Sequence, residues 1–402
     1  MLDLSAIRTA AETIRGRARR TELIHSHYFS ARLGTPLYFK CENLQRTGSF
    51  KIRGAYNFLH HQNEEARRRG VITASAGNHA QGVAFAATEF GIPALVVMPE
   101  NTPLAKVLAT REYGAEVVLH GASFDDAAEH ARQLEAERGM LFVPAFDHTL
   151  VMAGQGTVGL EILEALPDAE TLLVPIGGGG LIAGIATAAK TINPAIRVIG
   201  VEASGAPTAL LSRRKGEIVT LAAAHSLADG IVIKRLGEQT FPIIEALVDD
   251  IVTVEEEEIA QAIVSLMEKA KLVVEGAGAV SLAALLYGRR RLHRGKTVCI
   301  LSGGNIDVQT VARVVERGMM AEGRYLKVRV ELLDAPGSLA ALAALLAQEG
   351  ANIFHVSHDR RTAGLPLGRA EVHLELETRG PQHICHILER LEQEGYGAEL
   401  LR

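Results

Sequence analysis

Between residues 36 and 320, short apolar runs rich in β-branched residues alternate with longer stretches whose apolar positions recur every three to four residues. Runs at 37–40, 71–75, 94–98, 116–120, 172–176, 197–202 and 297–301 are apolar enough to be strands covered on both faces, as parallel sheets require. Stretches at 80–90 and 124–138 carry the helical period between them. This alternation predicts an α/β core around a parallel sheet. At the N-terminus, Leu4, Ile7, Ala11 and Ile14 fall on one side of a predicted amphipathic surface helix. Asp3 and Glu12 interrupt the arginines there, which argues against a transit peptide.

The pattern changes after Glu316-Arg317-Gly318, where a short polar stretch ends at Gly323. Residues 327–333 alternate as a strand, 336–349 read as a helix, 352–358 and 370–376 as two strands, 383–394 as a helix and 398–401 as a last short strand. The order β-α-β-β-α-β is ferredoxin-like and predicts a separate α+β domain at 326–402, behind a unit spanning 1–320.

Composition narrows the function classes. A chain of 402 residues with 48% hydrophobic positions is too long for one ordinary domain and too apolar for disorder. Its formal charge of −5, without a long basic run, lacks the footprint of a nucleic-acid binder. Aromatic content of 4% and the absence of tryptophan argue against base-stacking platforms and membrane-interface belts, and no apolar stretch is suited to spanning a bilayer. Cys41, Cys299 and Cys385 lie far apart, with neither zinc-type spacing nor a disulfide framework, which fits a reducing cytoplasm. A small-molecule partner remains.

Four segments carry chemistry. Thr47-Gly48-Ser49-Phe50-Lys51-Ile52-Arg53-Gly54-Ala55 sets a lysine between two apolar neighbours at the start of a helical run. Read alone, such a lysine is a solvated surface residue. Between Phe50 and Ile52 it is partly desolvated, which lowers its pKa and readies the amine for Schiff-base chemistry. Ser75-Ala76-Gly77-Asn78-His79-Ala80-Gln81-Gly82 follows a strand end, where open α/β sheets bind ligands, though serine and asparagine are also ordinary helix caps. Gly177-Gly178-Gly179-Gly180-Leu181, between a strand and a helix, can turn successive backbone amides toward a phosphate. Ser302-Gly303-Gly304-Asn305 follows the run at 297–301. Gly178, Gly180 and Ala183 also satisfy G-x-G-x-x-A, with Glu202 at the end of the next strand, so a dinucleotide site is a competing reading. That reading leaves Lys51 and the other two segments unexplained.

Together with Ala153-Gly154-Gln155-Gly156-Thr157, these segments resemble the fold-type II family of pyridoxal-phosphate enzymes, built like the tryptophan synthase β-subunit, and most closely its threonine ammonia-lyase branch. The resemblance implies a parallel-sheet catalytic unit with a smaller subdomain at roughly 42–145. It implies that Lys51 holds pyridoxal 5'-phosphate as a Schiff base, with Phe50 beside the ring. Asn78 then binds the ring hydroxyl; Gly177, Gly178, Gly179, Gly180 and Leu181 bind the phosphate; and Ser302 faces the ring nitrogen. A hydroxyl does not hold that nitrogen protonated as a carboxylate would, so the ring is a weaker electron sink and prompt loss of a β-hydroxyl is favoured.

The implied reaction is elimination from L-threonine to 2-oxobutanoate and ammonia, with L-serine to pyruvate slower. Lys51 is the general base at Cα, and Ser75 and His79 stand near the substrate carboxylate. Ala76 replaces the second serine that racemases of the family use on the opposite face, favouring elimination over racemisation. Phe146 supplies an apolar wall for threonine's methyl group. Glu202 matches one ligand of the racemase cation site, but Thr208 stands where its aspartate belongs, so no metal is expected. Glu275 and Gly230 match family segments without a role following for either. The terminal domain resembles an ACT domain, with Asp334-Ala335-Pro336-Gly337-Ser338 as its strand-to-helix loop and Pro336 in the first helical turn. That implies a homo-oligomer, dimer or tetramer, and an amino-acid effector, for which isoleucine is the pathway-logical choice. A nicotinamide-dependent oxidoreductase and a catalytically inactive amino-acid sensor are the alternative classes.

Overall fold

The computed structural model describes residues 2–288, 292, 294–362 and 364–401. The chain forms two compact units, Met1–Thr310 and Val311–Arg402.

The first unit is built on two sheets. In the larger, strands run in the order Leu23–His25, Leu37–Cys41, Thr297–Leu301, Thr171–Pro175, Arg197–Ala203 and Asp250–Val254. All its pairings are parallel except the antiparallel edge strand Leu23–His25. The smaller sheet is entirely parallel, ordered Glu116–Leu119, Ala94–Met98, Val71–Ala74 and Leu141–Phe142. Every residue of Val71–Ala74, Ala94–Met98, Thr171–Pro175 and Thr297–Leu301 is buried, which is why these strands read as unbroken apolar runs. The strands Leu23–His25, Leu141–Phe142 and Asp250–Val254 go beyond the sequence expectation. The first two are short and half-buried, and Asp250–Val254 mixes polar with apolar residues, so none presents a continuous apolar run.

Helix Lys51–His60 packs on helix Thr149–Ala165. Glycine makes the contact: a Cβ on Gly154 would lie 2.5 Å from the Arg53 carbonyl oxygen. On its other side the same helix receives Gly180–Ile192, where a Cβ on Gly184 would lie 2.4 Å from the Met152 carbonyl oxygen. The Ala153-Gly154-Gln155-Gly156-Thr157 string is therefore a double helix crossing. Its Gln155 side chain accepts a hydrogen bond from the Gly54 amide, and Thr157 accepts one from Arg53.

Arg53 is fully buried, and its donors are all used. Nε and Nη2 donate to the two Glu42 oxygens at 2.8 Å, Nη1 and Nη2 to Glu161 at 2.6 and 2.9 Å, and Nη2 also to the Arg19 carbonyl. Lys40 joins from the neighbouring strand, 2.5 Å from Glu161. Two cations face two carboxylates, and Thr21 donates a further hydrogen bond to Glu42. Burial opposes ionisation of Glu42, but Arg53, Lys40 and the Thr21 hydrogen bond together outweigh it and keep the carboxyl below its ordinary range. The cluster ties the N-terminal segment, the Leu37–Cys41 strand and two helices together two residues beyond Lys51.

The second unit has an antiparallel sheet ordered Asn352–Asp359, Arg369–Glu377, Tyr325–Leu333 and Ala398–Leu400, with helices Ser338–Gln348 and Pro381–Gln393. Val328, Val330, Leu342, Leu346, Val372, Leu374, Ile387 and Leu391 form its core. Two expectations are corrected. Residues 316–321 lie inside helix Val308–Ala321, because the valines and Gly318 maintain an apolar face through the polar stretch, with Val314 and Gly318 buried. Pro336 precedes the helix instead of opening it: Gly337 is the N-cap at φ 93°, and Ser338 is the first helical residue. Among the described residues, no helix is long and apolar enough to cross a membrane.

Arg53→Ala leaves Glu42 buried without its partner and is expected to lower the stability of the first unit by about 3–5 kcal/mol. Adding Glu42→Gln should recover part of the loss. Thermal unfolding checks this; an unchanged melting temperature for Arg53→Ala would contradict the role given to the cluster.

Candidate active site

The carboxyl ends of parallel strands converge with the start of helix Lys51–His60. Ser302 follows strand Thr297–Leu301, and Gly177–Gly180 follow Thr171–Pro175. Residues 48–50 are zipped to 302–304: the Phe50 amide donates to the Ser302 carbonyl at 3.2 Å, Ser49 bridges Gly303, and the Gly304 amide donates to Gly48 at 2.8 Å. This fixes Lys51 relative to Ser302.

The pocket so formed is lined by Phe50, Lys51, Asn78, Gly177, Gly178, Gly179, Gly180, Leu181 and Ser302, all of them expected site residues. Ala145, Phe146, Gln155, Gly230, Ile231 and Glu275 complete much of the remaining wall. Lys51 Nζ donates to the Ala145 carbonyl at 2.9 Å. Burial lowers its pKa to about 8, against an opposing pull from Glu275.

Opposite the lysine, Gly179 stands at φ 94° as the N-cap of Gly180–Ile192, and no side chain caps that helix. Its first amides and the partial positive charge of the helix end are free to hold an anion. The loop cannot carry side chains: a Cβ on Gly178 would lie 2.3 Å from the Phe146 ring. Thr240 braces the loop by donating to the Gly178 carbonyl.

Asn78, the first residue of helix Asn78–Phe90, donates from Nδ2 to Glu275 Oε1 at 2.6 Å and accepts at Oδ1 from Asn305 Nδ2 at 2.7 Å. Glu275 is 4% exposed. Burial and then Asp229 raise its pKa to about 7, against the Asn78 hydrogen bond and the charges of Lys106 and Lys51. Glu275 could be recognised in sequence as a family match, but its partner lies 197 positions away and carries no local signal.

Two residues expected near the substrate carboxylate, His79 and Ser75, are not among those lining residues. His79 is buried with its ring on the Val143 carbonyl, and burial followed by the Lys51 charge lowers its pKa to about 3. That keeps the imidazole neutral near pH 7. Ser75 also lies outside that lining, its hydroxyl accepting from the Gly77 amide in a local turn. Glu202 accepts the Ala209 and Leu210 amides, and burial raises its pKa to about 7.

A desolvated amine facing an anion cradle suits a carbonyl compound that carries a phosphate. On this two-sheet scaffold, fold and site define a pyridoxal-phosphate enzyme of the parallel-sheet class. Residues 14–303 match the family described as pyridoxal-phosphate dependent enzyme. Over 402 residues, all of both chains, the sequence is 60% identical to L-threonine ammonia-lyase of Geobacter sulfurreducens. The processed form of threonine deaminase isoform 2 from Solanum lycopersicum superposes with a TM-score of 0.74 at 39% identity, covering 79% of this chain and 90% of that one. Maize serine racemase superposes with a TM-score of 0.75 at 37% identity, covering 80% and 99%. The chain belongs to the pyridoxal-phosphate dependent enzyme family. Its cofactor is pyridoxal phosphate, and the dinucleotide reading of the glycine loop is set aside.

Gly178→Ala forces the Phe146 ring to move against the cradle and is expected to weaken pyridoxal-phosphate binding by roughly tenfold or more. Absorbance titration of the apoprotein checks this, and unchanged affinity would contradict the packing of Phe146 on the loop.

Proposed function

We infer that the chain converts L-threonine to 2-oxobutanoate and ammonia, water leaving in the elimination and re-entering on hydrolysis of the released enamine. L-Serine is a slower substrate giving pyruvate. The observation that carries this reading is the Lys51 amine, desolvated to a pKa of about 8 and lining the same pocket as the glycine cradle. Full-length likeness to a threonine ammonia-lyase supports it.

Lys51 would anchor the cofactor covalently, with Phe50 beside its ring. The amides of Gly177, Gly178, Gly179, Gly180 and Leu181 would receive the phosphate, Asn78 the ring oxygen, and Ser302 the ring nitrogen. When bound, the cofactor supplies an electron sink for the charge left at the substrate Cα. Lys51 Nζ takes the Cα proton, and its depressed pKa keeps much of the amine neutral near pH 8. Ser302 offers a hydroxyl where a carboxylate would strengthen the sink, so loss of the β-hydroxyl outruns reprotonation. Ala76 provides no acid or base on the opposite face, which favours elimination over racemisation. Phe146 lines the pocket where threonine's methyl group fits, though one methyl discriminates against serine by only about 1–3 kcal/mol.

Residues 1–320 act as the catalytic unit, with a smaller subdomain at roughly 42–145, and 326–402 as an ACT-type regulatory domain. The antiparallel sheet and paired helices of the second unit support that role. Its edge strand Asn352–Asp359 exposes Phe354 and Val356, which favours pairing with another copy as dimer or tetramer. Isoleucine is the effector of choice, as end product of the branch that begins at 2-oxobutanoate. The free cysteines fit work in the cytoplasm.

Incubation with L-threonine should yield 2-oxobutanoate, and Lys51→Ala should keep the parental melting temperature while losing roughly a thousandfold or more in turnover. Parental turnover by that variant would overturn the assignment. Titrating isoleucine, valine and nucleotides against the rate should show isoleucine shifting the threonine saturation curve, by about 5–150-fold for a typical coupling. Indifference to all of them would leave the second unit a purely structural role.

A further inference from the structure

Glu275 occupies the N-cap of helix Gly276–Leu286, where a polar side chain ordinarily accepts a first-turn amide. Its side chain makes no capping bond and turns into the pocket, where Oε1 accepts from Asn78 Nδ2. The surrounding chain is shaped to deliver it. Lys271, the only non-glycine at positive φ among the described residues, ends the π-helical turn Leu266–Ala270 four positions earlier. A Cβ on Gly303 would lie 2.1 Å from Glu275 Oε1, so the glycine leaves room for the carboxylate.

Asn78 is held from both ends. Asn305 Nδ2, itself oriented by the Thr47 carbonyl at 2.7 Å, donates to Asn78 Oδ1. Rotating the Asn78 amide by half a turn would set amine against amine at Asn305 and oxygen against carboxylate at Glu275. Only one of the two Nδ2 hydrogens is used by Glu275; the other is left for the pocket.

We propose that Glu275 is a positioning residue for the cofactor: by accepting one Asn78 N–H it fixes the amide so that the second N–H meets the ring oxygen of pyridoxal phosphate. The proposal rests on the assignment of Asn78 to that oxygen. It predicts that the Glu275 and Asn78 contributions to cofactor binding are one shared contribution.

The test is equilibrium titration of the apoprotein with pyridoxal phosphate, read by the absorbance of the bound cofactor, for the parent, Glu275→Gln, Glu275→Ala, Asn78→Ala and the double alanine variant. Glu275→Gln keeps an acceptor oxygen and should bind within about threefold of the parent, whereas Glu275→Ala should lose roughly tenfold or more and shift the absorption band. Adding Asn78→Ala to Glu275→Ala should cost little further. Parental affinity in Glu275→Ala, a Glu275→Gln as weak as Glu275→Ala, or independent multiplication of the two alanine losses would overturn the proposal. If Glu275→Ala fails to fold, Glu275→Asp replaces it, withdrawing the acceptor while keeping the charge; lost affinity supports the proposal and parental affinity contradicts it. A parent that binds no pyridoxal phosphate would defeat the cofactor assignment itself.

Discussion

An amine serves as a nucleophile and base near neutral pH only where water cannot hold it as an ammonium ion, and the placement of Lys51 answers that constraint. Its depressed pKa comes from burial, and burial comes from what surrounds it. Residues 48–50 are stitched to 302–304 by backbone hydrogen bonds. Helix Lys51–His60 lies against Thr149–Ala165 at glycine-thin contacts, and Arg53 anchors its first turn among Glu42, Glu161 and Lys40. A shift in any of these would tilt the lysine toward solvent or away from the glycine cradle.

The two buried polar clusters of the first unit are arranged for opposite purposes. Around Arg53 each cation has carboxylate partners and the guanidinium's donors are all taken, which suits a structural joint. In the pocket, satisfaction is incomplete by arrangement. The helix behind Gly179 has no side-chain cap, Asn78 keeps a donor free, and Glu275 forgoes its capping bond and lines the pocket. Burial pushes Lys51 down to about 8 and Glu275 up to about 7, and the charge of each opposes the other's shift.

Much of the site was legible in the sequence because its parts are local strings at strand ends. Lys51, Asn78, Gly177–Gly180 and Ser302 each belong to a short motif whose chemistry can be stated from residue type, and the fold brings all of them to one pocket. Helix and strand periods likewise marked the buried strands, whose apolar runs are unbroken. What stayed hidden depends on distant partners. The local sequence gives Arg53 no role until Glu42 and Glu161 are seen beside it, and Glu275 has no evident task without Asn78. The His79 ring's hydrogen bond to the Val143 carbonyl likewise spans 64 positions and has no local signal.

These features converge on one claim, that Lys51 is the amine that bonds the cofactor. Reduction of the holoenzyme with borohydride, followed by proteolysis and mass mapping, tests it most directly. The visible absorption is expected to bleach, and the pyridoxyl mass to appear on the peptide containing Lys51. A label on another lysine, or none on a protein that has bound the cofactor, would contradict it.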